Sequence, residues 1–350
     1  MKILAIETSC DDTCIALLKA QGKAKPYFKI LSNIVSSQVK IHAKYGGVYP
    51  TLAKREHQKN LPLVLKRALN KTKDPKADLV AITVGPGLDP CLWVGVNFAK
   101  ELAQKLNLPI VPVNHIEAHI YANWLSPIGK PQIFPAVCLI VSGGHTQLIL
   151  MRGHRKYKIL GETRDDAAGE CFDKIARILG LGYPGGPIVA AQAAKLKTIN
   201  YKLQTKLPRP MIYQKNYDFS FSGLKTAVLY NFKSEPERIR KSKKYIQAMC
   251  AEAQQAIIDV LIKKTIQAAE DYNAKTIILG GGVAANEELR KQFKEKIEKE
   301  LPKTKYLIPD TKFCTDNAAM IAVTGYFNRQ KKRSWKKIKA NANLKIGEKI

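Results

Sequence analysis

No apolar stretch in this sequence is long enough to cross a bilayer. The longest run that reads as structural is Ala136–Val141, where a spanning helix needs about 20 residues. The start, MKILAIETS, meets Glu7 after four apolar residues, too few for a secretory leader. A cytoplasmic protein with no membrane partner is expected. Acids are also scarce, with 29 Asp and Glu against 58 Lys and Arg, a formal charge of +29. The seven cysteines form no framework: the number is odd, and Cys10 and Cys14 have no second pair to complement them. That argues against a disulfide scaffold and leaves little support for a thiolate zinc. The chain contains no GxxxxGK[ST], which excludes a P-loop nucleotidase, and GGGVAAN at 280–286 does not fit the dinucleotide fingerprint.

What is present is an ordinary globular composition, 45% apolar and 25% charged over 350 residues, enough for about two domains. The positive charge favours polyanions, nucleic acid foremost, unless lysine is abundant throughout the source proteome. Two basic clusters point to RNA. One runs from Lys195 to Lys244 with Tyr201, Tyr213, Tyr217 and Phe219 interleaved; the other is RQKKRSWKKIK, Arg329–Lys339. Aromatics among cations suit single-stranded or looped RNA.

The chain repeats itself. Lys2–Lys19 and Ala136–Gly153 each read as an apolar strand, a short polar turn and a second apolar strand. Ala77–Gly87 and Ala274–Asn286 each read as a β-branched strand running into glycines and then a helical pattern. The order occurs twice, so two related α/β halves with a cleft between them are expected. The boundaries place one lobe over residues 1–133 and the second over 134–328, with an insertion at about 162–241. A basic tail covers 329–350. Helices are expected over Val94–Leu106, Asn114–Leu125, Asp166–Leu179, Lys244–Tyr272, Asn286–Leu301 and Thr315–Asn328. The glycine turns let backbone N–H groups approach a phosphate.

His115 and His119, in NHIEAH, share a helix face at i and i+4 and can grip one ion. Asn114 is the candidate cap. Glu117 lies about 200° round from His115 at ~100° per residue, pointing away from that ion. The zinc-peptidase motif puts glutamate directly after the first histidine; here Ile116 stands there. Two polar residues on a helix remain the plain alternative. An oxygen ligand would complete a site, and Asp316 in TDNAAM is a candidate, with His145 in SGGHTQ competing. The acids Asp165, Asp166 and Asp173 could bind metal or sugar hydroxyls, although acids at helix starts usually cap.

ILAIETSCDDT, NHIEAH, VSGGHTQL, DDAAGECFDKIARILGLGYPGGP, FSFSGLKTAV, GGGVAAN and TDNAAMIA occur together and in order. In this the chain resembles the TsaD family of tRNA N6-adenosine threonylcarbamoyltransferases, from about Ile3 to Ala322. The resemblance implies a duplicated actin-like, hexokinase-like and Hsp70-like (ASKHA) α/β fold. It implies transfer of a threonylcarbamoyl group from threonylcarbamoyl-AMP to N6 of adenosine 37, in tRNAs reading codons that begin with A. It implies one divalent metal, iron or zinc, on His115, His119 and Asp316. Substrate contacts are implied at Ile140, Val141, Ser142, Gly143, Gly144, Asp173, Gly186 and Asn286, and a catalytic role at Asp11. A TsaB-like paralogue and a TsaE-like ATPase are implied as partners. Ala190 stands where some members carry an acid near the ribose. A metallopeptidase, a small-molecule kinase on the same fold and a noncatalytic RNA-binding module are the competing readings.

Overall fold

The computed structural model describes residues 1–22, 26–125, 133–196 and 206–349. The chain divides into two units. Unit 1 comprises residues 1–132, 153–157 and 308–350, and unit 2 comprises 133–152 and 158–307.

In unit 1, β1 (Lys2–Glu7) and β2 (Asp12–Gln21) form the expected hairpin, antiparallel from Lys2 opposite Lys19 to Glu7 opposite Cys14. β3 (Tyr27–Ser37) extends it on one side, antiparallel to β2. On the other side β4 (Leu79–Gly85) and β5 (Ile110–Asn114) add in parallel. The order is β3-β2-β1-β4-β5. The short α1 (Val39–His42) and the long α2 (Pro50–Asn70) connect β3 to β4, and α3 (Asp89–Leu106) connects β4 to β5. Strands β4 and β5 are buried throughout, as parallel strands covered on both faces must be. On one face Leu61, Val64 and Ala68 of α2 and Val96, Ala99 and Ala103 of α3 join Leu4, Ile6, Val80 and Ile82 in one core. The other face receives α11 (Ala318–Phe327), whose Gly325 comes so close to the sheet that an added Cβ would lie 2.7 Å from that of Ala81.

Unit 2 repeats the plan. β6 (Ala136–Val141) and β7 (Thr146–Gly153) form an antiparallel hairpin, β8 (Lys156–Glu162) follows, and β9 (Thr276–Gly280) and β10 (Lys305–Leu307) add in parallel beside β6. Read as β8-β7-β6-β9-β10, the order is that of unit 1. The inserted material holds α5 (Ala168–Ile178), α6 (Gly185–Lys195), α7 (Ser222–Ser234) and α8 (Glu237–Arg240), followed by α9 (Lys243–Asp271); α10 (Glu287–Glu300) joins β9 to β10. The tip of the β7–β8 hairpin, residues 153–157, belongs to unit 1.

Three expectations change. The boundary at residue 328 is replaced: residues 308–328 belong to unit 1, because α11 covers the sheet of β1, β2 and β4. The basic segment 329–350 is not a free tail. Arg333 pairs with Ile110 at the edge of β5, Asn341 N–H donates to Val84 O at 2.7 Å, and Ile338 and Leu344 enter the unit 1 core. The helix expected from Val94 begins instead at Asp89, since Pro90 fits the first turn where no N–H is needed. No described helix is long and apolar enough to cross a membrane.

Candidate metal centre

β5 ends at Asn114, whose side-chain oxygen accepts from the N–H groups of Ile116 (2.9 Å) and Glu117 (3.0 Å). This cap starts α4 (His115–Tyr121) at His115 itself. The Asn114 amide in turn donates to Leu344 O at 3.1 Å. Every residue of α4 is buried, so its two histidines meet little solvent. Their rings stand edge to face at 81°, with Nε2 atoms 3.2 Å apart.

Asp316 arrives from the turn before α11. Asn317 caps that helix by accepting from Met320 N–H at 3.0 Å, which fixes the residue beside it. Asp316 Oδ1 lies 3.5 Å from Nε2 of both histidines. Three ligand atoms 3.2–3.5 Å apart have the spacing of neighbouring corners around one ion, since bonds of about 2.0–2.2 Å separate adjacent ligands by roughly 3.0–3.5 Å. The Asp316 side chain is 20% exposed, so one side of the centre faces outward. These are the members of the His/Cys/Asp/Glu group among the described residues with metal-holding spacing; no cysteine joins it, and neither does His145, which lies in unit 2.

The sequence reading missed Glu7. It is fully buried at the end of β1 and accepts from His115 Nδ1 (2.9 Å), Thr83 Oγ1 (2.7 Å) and the Ser9 N–H. Burial alone would raise its pKa, but the charge and hydrogen bond of His115 hold the carboxyl below its ordinary value. A carboxylate on Nδ1 sets the tautomer of His115 and leaves the Nε2 lone pair facing His119 and Asp316. Burial works against a charged His115, yet Glu7 and Asp316 push it up to about 9. Burial keeps His119 below its usual value. His115 thus favours one proton beyond its neutral form, and a divalent cation can take that proton's place. The signal for Glu7 was legible: an acid closing an otherwise apolar strand.

Nearby carboxyls add to the local negative field of this very basic chain. Asp11 sits half-buried in the β1–β2 turn, its pKa raised by burial and then by Asp316. Asp12 is pushed up to about 7 by the same two causes. Glu117 turns elsewhere: it accepts from Tyr157 Oη (3.0 Å) and Asn328 Nδ2 (2.8 Å), and burial raises its pKa. With Ile116 buried and apolar beside His115 and Glu117 engaged here, α4 supplies no peptidase base.

The expected substrate contacts lie in unit 2: Ile140 to Gly144 and Asn286 at or just past the carboxyl ends of β6 and β9, where α/β sheets bind ligands, and Asp173 and Gly186 on α5 and α6. Ile140 and Val141 are fully buried and can offer only backbone. Ser142 N–H donates to His145 O (2.8 Å) and Gly169 N–H donates to Ser142 O (3.1 Å). Gly143 and Gly144 have open space where a Cβ would stand. Asp173, on α5, accepts from Gly185 N–H at 2.7 Å and so ties α5 to the start of α6, where Gly186 lies. Burial raises Asp173, against the hydrogen bonds of Gly185 and Gly186. Asn286 caps α10 through Leu289 N–H (3.0 Å) and donates to Gln254 Oε1 (2.8 Å). Gly281 was missed. Its φ is +89°, and an added Cβ would lie 2.2 Å from Val141 O, so the ends of β6 and β9 touch there. Ala190 is half-buried on α6, whose first turn carries no acid.

The aromatic residues of the Lys195–Lys244 cluster are mostly not exposed for stacking. Phe219 is in the core, Tyr217 Oη donates to Asp271, and Tyr213 alone of the described three stands out at 92% exposure. Tyr201 lies outside the described residues.

A family model described as "TsaD: tRNA N6-adenosine threonylcarbamoyltransferase" matches residues 29–323. The chain belongs to the TsaD family. A TsaD-family relative from Thermosipho africanus, named tRNA N6-adenosine threonylcarbamoyltransferase, is 48% identical over 330 residues, 93% of this chain and 94% of its own. One from Geobacillus thermodenitrificans, with the same name, is 46% identical over 98% of this chain and 96% of its own. Among solved structures, full-length HypF in its phosphate- and nucleotide-bound form aligns with a TM-score of 0.56 at 12% identity, and T. kodakarensis HypF with 0.59 at 13%. This TsaD-family chain spans 46% and 47% of those two proteins, and at such identity the likeness concerns the fold alone. That fold is the duplicated α/β arrangement expected from the repeat.

Proposed function

We propose that this chain is a tRNA N6-adenosine threonylcarbamoyltransferase that organises its donor around one divalent ion. In the reaction N6 of the adenosine attacks the carbamoyl carbon of threonylcarbamoyl-AMP. A C–N bond forms, the C–O bond to phosphate breaks, AMP departs and the amine loses a proton. The donor is a mixed anhydride with a good leaving group, so alignment and charge stabilisation are the main tasks. The observation that carries the reading is the set of three ligand atoms, 3.2–3.5 Å apart, with Glu7 behind His115.

His115, His119 and Asp316 would hold the ion, iron or zinc by their nitrogen and oxygen donors, and when bound it would supply Lewis acidity and a template for donor oxygens. Glu7 keeps the Nε2 face of His115 available. The backbone N–H groups of Gly143 and Gly144 receive anionic oxygens of the donor, and the Gly280–Asn286 turn its adenosine. Asp11, with its pKa raised by burial, takes the proton leaving N6. The basic surface seats tRNAs that read codons beginning with A. A TsaB-like paralogue and a TsaE-like ATPase act with it in the cytoplasm.

The test is transfer from synthetic threonylcarbamoyl-AMP to such a tRNA, followed as modified nucleoside. His115→Ala and chelation should each abolish incorporation, with metal restoring the chelated sample. Full incorporation by a preparation shown to be metal-free would overturn the reading.

A further inference from the structure

Tyr45 and Tyr49 are 64% and 57% exposed, yet their rings stack on each other, with centroids 6.1 Å apart and planes 28° from parallel. Residues 39–55, which contain them, include exposed Lys40, Lys44, Lys54 and Arg55 and no acid. Large aromatic faces left in water amid cations fit a partner that is flat, apolar and anionic around its edges. A nucleic-acid base on its sugar-phosphate chain has that chemistry.

The segment is held rigidly and beside the turn that carries Asp11. Gln38 N–H donates to Asp11 O at 3.2 Å. His42 Nε2 donates to Gln38 Oε1 at 3.1 Å, and Tyr49 N–H donates to His42 Nδ1 at 3.3 Å. Below it, His57 Nε2 donates to Cys10 O at 2.9 Å while Nδ1 accepts from Thr13 Oγ1 at 2.8 Å. Two buried imidazoles thus fasten the tyrosine segment and the Ser9–Thr13 turn to one frame. Ser9 Oγ in turn lies 3.2 Å from His115 Nδ1. The segment that carries the rings is therefore anchored in the unit that holds the candidate metal ligands.

We propose that the Tyr45–Tyr49 pair and its flanking Lys and Arg side chains form a platform on which an unpaired base of the RNA substrate stacks. This rests on the transferase reading and specifies how a looped RNA is held next to the Asp11 turn. A second protein chain on the same surface is the competing occupant, but a segment with four cations and no acid favours the polyanion.

The experiment measures binding of a fluorescent anticodon stem-loop RNA, and of a blunt duplex of equal length, to the full chain. Tyr45→Ala/Tyr49→Ala should weaken stem-loop binding by about five-fold or more, the scale of one lost base stack, and leave duplex binding unchanged. Tyr45→Phe/Tyr49→Phe should restore it. The slope of log affinity against log salt should stay at the wild-type value in the tyrosine variant and fall in Lys40→Ala/Lys44→Ala, which removes phosphate contacts instead. Equal stem-loop affinity for wild type and the alanine double variant overturns the platform alone, and so does an altered sedimentation coefficient with unchanged RNA affinity, which would mark a protein interface. If the wild-type chain neither binds the stem-loop nor modifies tRNA, the transferase reading falls and the platform with it.

Discussion

Glu7→Gln is the sharpest perturbation of the candidate centre, because it keeps shape and removes one acceptor. Glu7 accepts three hydrogen bonds, with His115 Nδ1 and Thr83 Oγ1 on one oxygen and the Ser9 N–H on the other. A glutamine has one acceptor oxygen. If that oxygen faces His115 and Thr83, its amide meets the Ser9 N–H, donor against donor. If it faces Ser9, the amide meets His115 Nδ1 and drives the proton to Nε2, the atom needed for the ion. Either arrangement forfeits a buried hydrogen bond, about 1–3 kcal/mol; the first loses it from stability alone, and the second carries it into metal binding as roughly 5- to 150-fold in the binding constant. That range overlaps the 10- to 100-fold loss in metal affinity typical of removing a partner behind a histidine ligand. Titration against a chromogenic chelator with Zn2+ or Co2+ would read it, with the metal-free melting temperature as a check on folding. Thr83→Val, which leaves the His115 contact in place, should lose less. Glu7→Gln with both wild-type metal affinity and a wild-type metal-free melting temperature would refute the claim that Glu7 orients His115.

Glu117→Ala should lower stability by about 2–4 kcal/mol in urea unfolding, since it strands the buried Tyr157 hydroxyl and Asn328 amide, and Glu117→Gln should recover part of the loss. Asp12→Asn should stabilise the metal-free protein at alkaline pH: its folded pKa of about 7 lies above the unfolded value, so the native carboxyl costs stability increasingly as pH rises through that interval. The gain, order 1–3 kcal/mol, should be present at pH 8 and absent at pH 4, by urea midpoints at each. Gly281→Ala should cost more than about 2 kcal/mol, because it combines a left-handed φ with backbone contact at 2.2 Å from Val141 O; a melting temperature within a degree of wild type would contradict that packing.

The two hairpins and the strands β4 and β9 were easy to read because unit 1 and unit 2 both carry an apolar hairpin followed by a β-branched strand running into glycine, and local pattern suffices for local pairing; β3, β5, β8 and β10 carry no such repeat and were not read. The cap at Asn114 and the i, i+4 histidines were equally local. What local pattern could not give was address. Asp316 joins the histidines from about 200 residues away, a distance no spacing rule spans. Helix α11 buries every residue from Ala318 to Tyr326, so it has no polar stripe to say which sheet it covers, and the domain boundary was misplaced with it. The Lys195–Lys244 aromatics looked exposed because cations surround them in sequence, but Phe219 is core. The tyrosines that are exposed as a stack, Tyr45 and Tyr49, sit in a glycine-broken turn with no periodicity to draw notice.

Unit 1 is written discontinuously: the two candidate ligand imidazoles precede all of unit 2, and the carboxylate follows it. An ion held by all three would therefore cross-link points about 200 residues apart, fastening shut a loop that contains the whole second sheet. During synthesis, an ion reaching the nascent polypeptide would find only a two-nitrogen grip. The third donor arrives after unit 2 has been made, and the Leu344 carbonyl that braces Asn114 arrives later still. Firm loading would thus report that translation has passed both, and early release of an unfinished chain would leave the ion exchangeable.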